Sequence, residues 1–265
     1  MKKVIVLGGS GYIGSCLADQ LALTGKYKVV IADLVKKKKL IRNQIFYKVN
    51  LLKIKNNKSI FNNVDYVFNF AALADLDDAK NKPLETAYIN ILGTINALII
   101  SKKYSIKKFI HASSIYSTSE QGGFYGVSKR AAEDYIEKFY KKYNLKFTIL
   151  RFGSIYGPGG DSTNGVNKII DYAIKTKKLQ YKGSKNAARR YIHVEDASKV
   201  CVEVMRKKYD NKYLTITGKK KIKVTKLMQV LSKILNIKNN NIFYKNYLQD
   251  GHYIIEPKKF KFKKG

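Results

Sequence analysis

Lys3-Val4-Ile5-Val6-Leu7 runs directly into Gly8-Gly9-Ser10-Gly11-Tyr12-Ile13-Gly14. The first five residues are mostly β-branched and too few for a helix, so they read as a strand. The glycines that follow have separable tasks. One makes a tight turn, one lets the backbone approach a pyrophosphate, and Gly14 permits close helix–strand packing. A helical pattern over 12–24 starts inside the loop, so its free N–H groups and positive dipole end face any bound phosphate. Asp33 closes the next candidate strand, 19 residues after Gly14, where a carboxylate can accept hydrogen bonds from ribose hydroxyls. It would repel a 2′-phosphate and so favours NAD over NADP, a preference that lysines 36–39 weaken. Gly8, Gly11, Tyr12, Ile13, Gly14 and Asp33 are the candidate cofactor-binding residues.

Outward from this loop, short apolar runs alternate with amphipathic ones. Candidate strands lie at 3–7, 28–32, 45–49, 65–70, 107–112 and 146–151, and helical patterns at 12–24, 84–103 and 124–143. That alternation predicts an α/β fold with a doubly wound parallel sheet covered on both faces. Beyond residue 152 the pattern loosens at Gly157-Pro158-Gly159-Gly160. Helical patterns follow near 165–177, 195–208 and 224–236, with short apolar runs at 213–216 and 242–244. The expected organisation is a cofactor-binding domain over 1–152 and a smaller α/β lobe over 153–265, with residues about 190–216 returning to the first domain.

A length of 265 residues with 45% hydrophobic and 27% charged residues excludes a fully disordered chain. No uninterrupted apolar run approaches the roughly 18 residues that span a bilayer, so membrane insertion is not expected. Met1-Lys2-Lys3 and the four apolar residues after it imitate a signal peptide, but Gly8 breaks the run too early. Cys16 and Cys201 supply neither a disulfide framework nor a zinc motif, which fits a reducing cytoplasmic compartment. Fifty-two basic residues against 19 acidic ones give a net charge of +33, spread over both halves. A polyanion such as nucleic acid or an anionic membrane would suit it. Only six of the 52 are arginine, the residue suited to bidentate phosphate recognition, so a nucleic-acid partner is not expected.

Tyr125-Gly126-Val127-Ser128-Lys129 opens the helical pattern at 124–143. Residues four apart share a helix face, so the Lys129 ammonium can sit near the Tyr125 hydroxyl. A positive charge there lowers a tyrosine pKa and makes Tyr125 a candidate acid/base for an alcohol or sugar hydroxyl. Ser113 and Ser114 end the strand at 107–112, the edge at which doubly wound sheets bind ligands.

Gly8/Gly11/Gly14, Asp33, Asn69-Phe70-Ala71-Ala72, the serine pair and Tyr125/Lys129 occur in an order that resembles the extended short-chain dehydrogenase/reductases, specifically the NAD-dependent epimerase/dehydratase family. Arg151-Phe152-Gly153-Ser154-Ile155-Tyr156-Gly157-Pro158-Gly159 and Arg190-Tyr191-Ile192-His193-Val194-Glu195-Asp196 resemble later motifs of the same family. The likeness covers about residues 3 to 215. It implies sugar-nucleotide chemistry through a transient keto sugar, NAD as cofactor, and a homodimer formed through helices that include the Tyr125–Lys129 helix. It assigns Tyr125 as acid/base, Lys129 as the group that orients it and the nicotinamide ribose, and Ser114 as the catalytic hydroxyl, with Ser113 as the fallback. Phe70, Ala71 and Ala72 would line the cofactor, with Asn50 and Leu51 at the adenine. Arg189 would grip the substrate diphosphate, and Ser154 stands where epimerases usually carry a substrate-binding Asn.

Departures from the family pattern narrow the reaction. Its 4,6-dehydratases carry an Asp-Glu pair after the catalytic hydroxyl, whereas Ile115-Tyr116 follows Ser114 here, which argues against dehydration. The reading is therefore an NAD-dependent sugar-nucleotide epimerase. A keto-sugar reductase and a non-catalytic NAD- or polyanion-binding protein on the same fold are the alternatives. His111, His193 and His252 show no metal-ligand spacing, and His193 reads as structural. Asp75, Asp77 and Asp78 read as helix-capping rather than as a carboxylate site.

Overall fold

A computed structural model of the chain describes residues 1–36, 39–160 and 164–245. Lys37, Lys38, His252 and the lysine-rich end Pro257 to Gly265, all singled out in the sequence, lie outside the described residues. The strands are β1 (Lys2–Leu7), β2 (Tyr27–Asp33), β3 (Gln44–Lys48), β4 (Tyr66–Asn69), β5 (Lys108–Ser114), β6 (Phe147–Phe152), β7 (Ser154–Tyr156), β8 (Leu179–Lys182), β9 (Ala188–Arg189), β10 (Tyr191–His193), β11 (Lys212–Ile216), β12 (Ile222–Lys223) and β13 (Ile242–Lys245). The helices are α1 (Tyr12–Leu23), α2 (Leu76–Asn81), α3 (Pro83–Thr86), α4 (Gly93–Lys103), α5 (Gly123–Tyr143), α6 (Gly165–Thr176), α7 (Val194–Glu203) and α8 (Val224–Ile234).

Seven strands form one parallel sheet in the order β11-β6-β5-β4-β1-β2-β3. This is the doubly wound Rossmann arrangement, with the chain reversing direction across the sheet between β1 and β4. Alternate residues of each strand enter different cores. Ile5 and Leu7 pack with Ile54, Phe61, Leu98 and Ile136 on one face. Val4 and Val6 pack with Leu17, Leu21, Ala197 and Cys201 on the other. Burial on both sides is why β1 is apolar without alternation from Val4 to Leu7.

Between β6 and β11, and again after β11, the chain leaves the sheet. These excursions carry a third core, in which Ile169, Ala173, Leu179, Tyr181, Val224, Met228 and Leu231 meet. Three two-stranded ladders frame this lobe and its junction with the sheet: β10 with β7, β12 with β9 and β13 with β8. Helix α7 and strand β11 return to the sheet in between.

Three departures from the sequence expectations have local causes. The helical stretch at 84–103 contains a π turn, Ala87–Leu92, between α3 and α4. The pattern at 195–208 ends at Glu203, and a short 3₁₀ turn covers Lys207–Tyr209. By length and composition the continuous helical stretch Pro83–Lys103 is apolar enough to cross a membrane, although it holds no unbroken apolar run of that length. It nevertheless buries Thr86, Asn90, Thr94 and Ser101 against the protein, as a core helix does.

Candidate active site

The cradle is built by contacts too close for side chains. Gly8 has φ +75°, and a Cβ there would lie 2.4 Å from the Ala71 backbone nitrogen. A Cβ on Gly14 would lie 2.2 Å from the Gly8 carbonyl oxygen, so α1 rests directly on the turn. Gly11 is the N-cap of α1 and offers no side chain to cap it. The first N–H groups of the helix are therefore left for a ligand. Asp33 accepts hydrogen bonds from the Ser10 N–H at 2.9 Å and the Leu34 N–H at 2.7 Å, which ties the end of β2 to the loop. Phe70 follows β4 and stacks edge-on with Phe68 and Phe152, while Ala71 lies against the first core. Asn50 is exposed and accepts from the Leu52 N–H, which leaves its amide NH₂ to donate. Leu51 behind it is buried. A cleft of about 630 Å³ opens beside Leu34, Asn50, Leu52, Tyr88 and Ile89. Free helix N–H groups, a ribose-height carboxylate and an apolar slot fit a dinucleotide.

On the same edge of the sheet, two strands from β1, the end of β5 presents two serines in opposite senses, as neighbouring strand residues must. Ser113 turns to α5 and donates to the Glu133 carboxylate. Ser114 turns to the catalytic side, accepts from the Tyr116 N–H at 3.2 Å and lies near enough to Tyr125 to lower its pKa. Of the two candidates, Ser114 stands beside the tyrosine and Ser113 does not.

Lys129 lies one turn along α5, only 3% exposed. Its ammonium donates to the Ala112 carbonyl at 2.8 Å and sits 5.7 Å above the Tyr125 ring centroid. Burial pushes Lys129 down to about 8, with the Glu133 carboxylate pulling it back up. Burial also pushes Tyr125 up to about 12, against the Ser114 hydrogen bond, which lowers it; Tyr116 adds to the rise. This corrects the expectation that Lys129 lowers the tyrosine. In this arrangement the ammonium covers the ring and bonds to the backbone rather than to the hydroxyl, and desolvation wins.

Two further residues, neither singled out in the sequence, organise the site. Glu133 is buried and accepts from Ser113, from Ser117 at 2.9 Å and from Arg151 at 3.0 and 2.5 Å. It thereby fixes the residues on both sides of the Ser114 turn. Its signal is its spacing: Tyr125, Lys129 and Glu133 recur every four residues. Asn90, in the π turn, is the second. It bonds both backbone groups of Leu73 and the Ser128 hydroxyl at 2.9 Å, joining the loop after β4 to α5. A polar residue inside the apolar run Ile89 to Leu92 is its signal.

The two substrate-side candidates meet across the lobe, with Arg189 donating to the Ser154 hydroxyl at 3.5 Å. Tyr12 reaches the same side and donates to the Gly157 carbonyl at 3.1 Å; Ile13, next to it, packs against the second core. Ala72 follows Ala71 in the loop after β4. His193 caps α7 by accepting from the Glu195 N–H. Asp75 caps α2, accepting from the Asp77 and Asp78 N–H groups. His111 is buried beside Asn69 and held neutral, because burial, and then Lys129, push it well below 6.5. No group of three metal-ligating side chains occurs among the described residues.

Residues 4–216 match the family described as NAD dependent epimerase/dehydratase. A putative UDP-glucose 4-epimerase of Methanocaldococcus jannaschii is 28% identical, over 91% of this chain and 85% of its own length. A dTDP-D-glucose 4,6-dehydratase of Dictyostelium discoideum is also 28% identical, over 78% of this chain and 56% of its own length. The crystal structure of UDP-glucose 4-epimerase from Thermotoga maritima with UDP-glucose superposes with a TM-score of 0.87 at 27% identity, covering 97% of this chain and 90% of that one.

Proposed function

Since the chain belongs to the NAD-dependent epimerase/dehydratase family, we propose that it is a sugar-nucleotide epimerase that works through a transient keto sugar. The observation that carries this reading is Ser114 close enough to the Tyr125 phenol to lower its pKa, beside the buried Lys129 ammonium. NAD, when bound, accepts and returns the hydride. The glycine cradle and the α1 N-terminus hold its pyrophosphate, Asp33 its adenosine ribose, and Asn50 with Leu51 its adenine edge. Phe70, Ala71 and Ala72 are the residues that would line it.

Tyr125 takes the proton of the sugar hydroxyl and later gives it back, and Ser114 donates to the same sugar oxygen. A phenol near pKa 12 is a poor base at neutral pH. The reading therefore requires that positive charge be brought to the hydroxyl when the site fills, by Lys129 turning from Ala112. Arg189 holds the substrate diphosphate and Ser154 a sugar hydroxyl. The preference for epimerisation over dehydration rests on Ile115 and Tyr116, which follow Ser114 without a carboxylate. Glu133, the carboxylate packed nearby, is committed to Arg151 and the serines.

The domain division follows from this, with residues 1–152 holding the cofactor and 153–265 mainly the sugar, apart from the returning α7 and β11. We also propose a homodimer. Leu84, Tyr88, Leu92 and Ile99 on one helical stretch, and Phe124, Val127 and Tyr135 on α5, are exposed apolar residues on neighbouring helices. The thiols of Cys16 and Cys201, which form no disulfide, suit a cytoplasmic setting.

The test is cofactor content. Protein purified without added cofactor is denatured, and the supernatant is assayed for NAD. Near-stoichiometric NAD is expected, because an epimerase regenerates its cofactor and need not release it. An empty protein that binds and releases NADH would replace this reading with a keto-sugar reductase. Tyr125→Phe is expected to abolish turnover and keep the bound NAD.

A further inference from the structure

The positive charge is concentrated outside the sheet. Residues 153–190 and 217–245 hold 16 lysines and arginines against two acidic residues, whereas residues 1–152 and 191–216 hold 31 against 15. A compositional bias toward lysine acts on the whole chain and gives no reason for the lobe alone to lose its acidic residues.

The β8–β13 ribbon gives this charge a surface. Its register pairs Phe243 with Gln180 and Lys245 with Lys182. The alternating residues Leu179, Tyr181, Ile242 and Tyr244 face the lobe's core. Gln180, Lys182, Phe243 and Lys245 therefore share the outer face. Phe243 is 42% exposed, and the Lys178 ammonium stands 6.0 Å from its ring centroid. Lys182 and Lys245 are exposed as well. Phe243 is thus an exposed aromatic flanked by Lys178, Lys182 and Lys245. Elsewhere on the lobe the same combination recurs: Val230 and Ile234 on α8 lie outward beside Lys226 and Lys233, and Ile174 on α6 lies outward beside Lys175.

We propose that the outer face of the β8–β13 ribbon docks on an anionic lipid surface. Lys178, Lys182 and Lys245 meet the headgroup anions, and Phe243 seats at the boundary of the acyl chains, without any segment crossing the bilayer. The residue types favour lipid over nucleic acid. Fourteen of the 16 basic residues are lysines, which act as point charges rather than as phosphate forks. Arg189 and Arg190 are already engaged with Ser154 and the Lys219 carbonyl. The inference is independent of the reaction assigned above.

The experiment is sedimentation of the full chain with vesicles of phosphatidylcholine alone and of phosphatidylcholine mixed with phosphatidylglycerol. Binding is expected only to the anionic vesicles, and it should weaken as salt is raised. Each lysine near the headgroups is worth about fivefold in affinity, so combined Lys178→Gln, Lys182→Gln and Lys245→Gln should weaken binding about a hundredfold. Phe243→Ser should weaken it without changing the salt dependence. Unchanged NAD content in these variants would show that the fold is intact. Equal binding to neutral vesicles, no binding to either, or wild-type binding by the triple variant would overturn the proposal. So would displacement from anionic vesicles by an equal charge of RNA, which would assign the face to nucleic acid.

Discussion

Strand β1 buries Val4 to Leu7 completely between two cores, and the cradle at its end leaves no room for a Cβ at Gly8 or Gly14. In the lobe β9 meets β12 over two residues only, and Phe243 lies open on the outer ribbon. The first region is determined by burial on both faces of a sheet, the second by caps, turns and one small core. Chemistry that depends on sub-ångström placement, at Ser114, Tyr125 and Lys129, is carried by the first. Contacts that only need the right charge and shape are carried by the second.

Matched glycine substitutions give the strongest test of this contrast. Gly8→Ala puts a methyl group 2.4 Å from the Ala71 nitrogen on a backbone at φ +75°, and both objections fall on main chain that cannot yield. The expected result is loss of bound NAD together with destabilisation by several kcal/mol, on the order seen for strained or overpacked sites. Gly165→Ala, at the start of α6, meets nothing within 4 Å and should be neutral or stabilising by up to about 1 kcal/mol. Urea midpoints of the two variants measure the difference. Similar losses in both would show that the lobe is as tightly determined as the sheet.

The buried Glu133–Arg151 pair comes next in size. Glu133→Leu takes the carboxylate from the Arg151 guanidinium, which is 18% exposed and keeps its place 4.5 Å from the Tyr213 ring centroid, and from Ser113 and Ser117. Breaking such a pair typically costs about 3–5 kcal/mol. Adding Arg151→Met should recover much of that stability, because the desolvated charge is gone. Turnover should stay low in the double variant, since the Ser114 turn has lost its brace. Recovery of both would make the pair a matter of stability alone.

Lys129 supplies a pH dependence of defined sign. Its folded pKa, about 8, lies below the ordinary value of 10.5. Below pH 8 both states hold the proton, and the folded state bears the full cost of a buried ammonium. Between about 8 and 10.5 only the unfolded chain keeps it, so stability rises with pH, by at most about 3 kcal/mol. Tyr125 acts in the opposite direction but only above pH 10, the start of its own window. NAD-free protein should therefore gain stability from pH 8 to 9.5, relative to a Lys129→Met variant. Parallel curves would mean that the ammonium is not paying a burial cost in the folded protein.

The same contrast governed what could be read from the chain. Strands of the main sheet announced themselves because a doubly buried strand must be apolar throughout, as in Val29 to Ala32. The cradle was legible because glycine spacing, a strand before it and Asp33 after it are local. The family resemblance ranked Ser114 ahead of Ser113, and the pleat of β5, which puts the two on opposite faces, gives that order a physical reason. The reading stopped at Lys129, one helical turn short of Glu133, whose partner Arg151 lies on another strand. The π turn at Asn90 has no residue pattern of its own, and strands of two or three residues such as β7, β9 and β12 are too short to show a period. The direction of the Tyr125 shift depends on desolvation, which spacing does not reveal.

The smallest predicted effects ask whether the two regions unfold together. Asp75 caps α2 through two N–H groups, and Asn164 caps α6 through two others while its amide also donates to the Ile155 carbonyl at 2.8 Å. Each change to alanine should cost about 1 kcal/mol, slightly more at Asn164 because a second contact is lost. Hydrogen exchange separates where the cost appears. If the lobe opens as its own cooperative unit, Asn164→Ala lowers protection in α6, β8 and α8 and leaves β1 and β4 unchanged. Asp75→Ala, beside the main sheet, should then leave the lobe's exchange as it was. If Asn164→Ala lowers protection in β1 by the same amount as in α6, the molecule unfolds as one unit. The looseness of the lobe would then be a property of its surface and not of its stability.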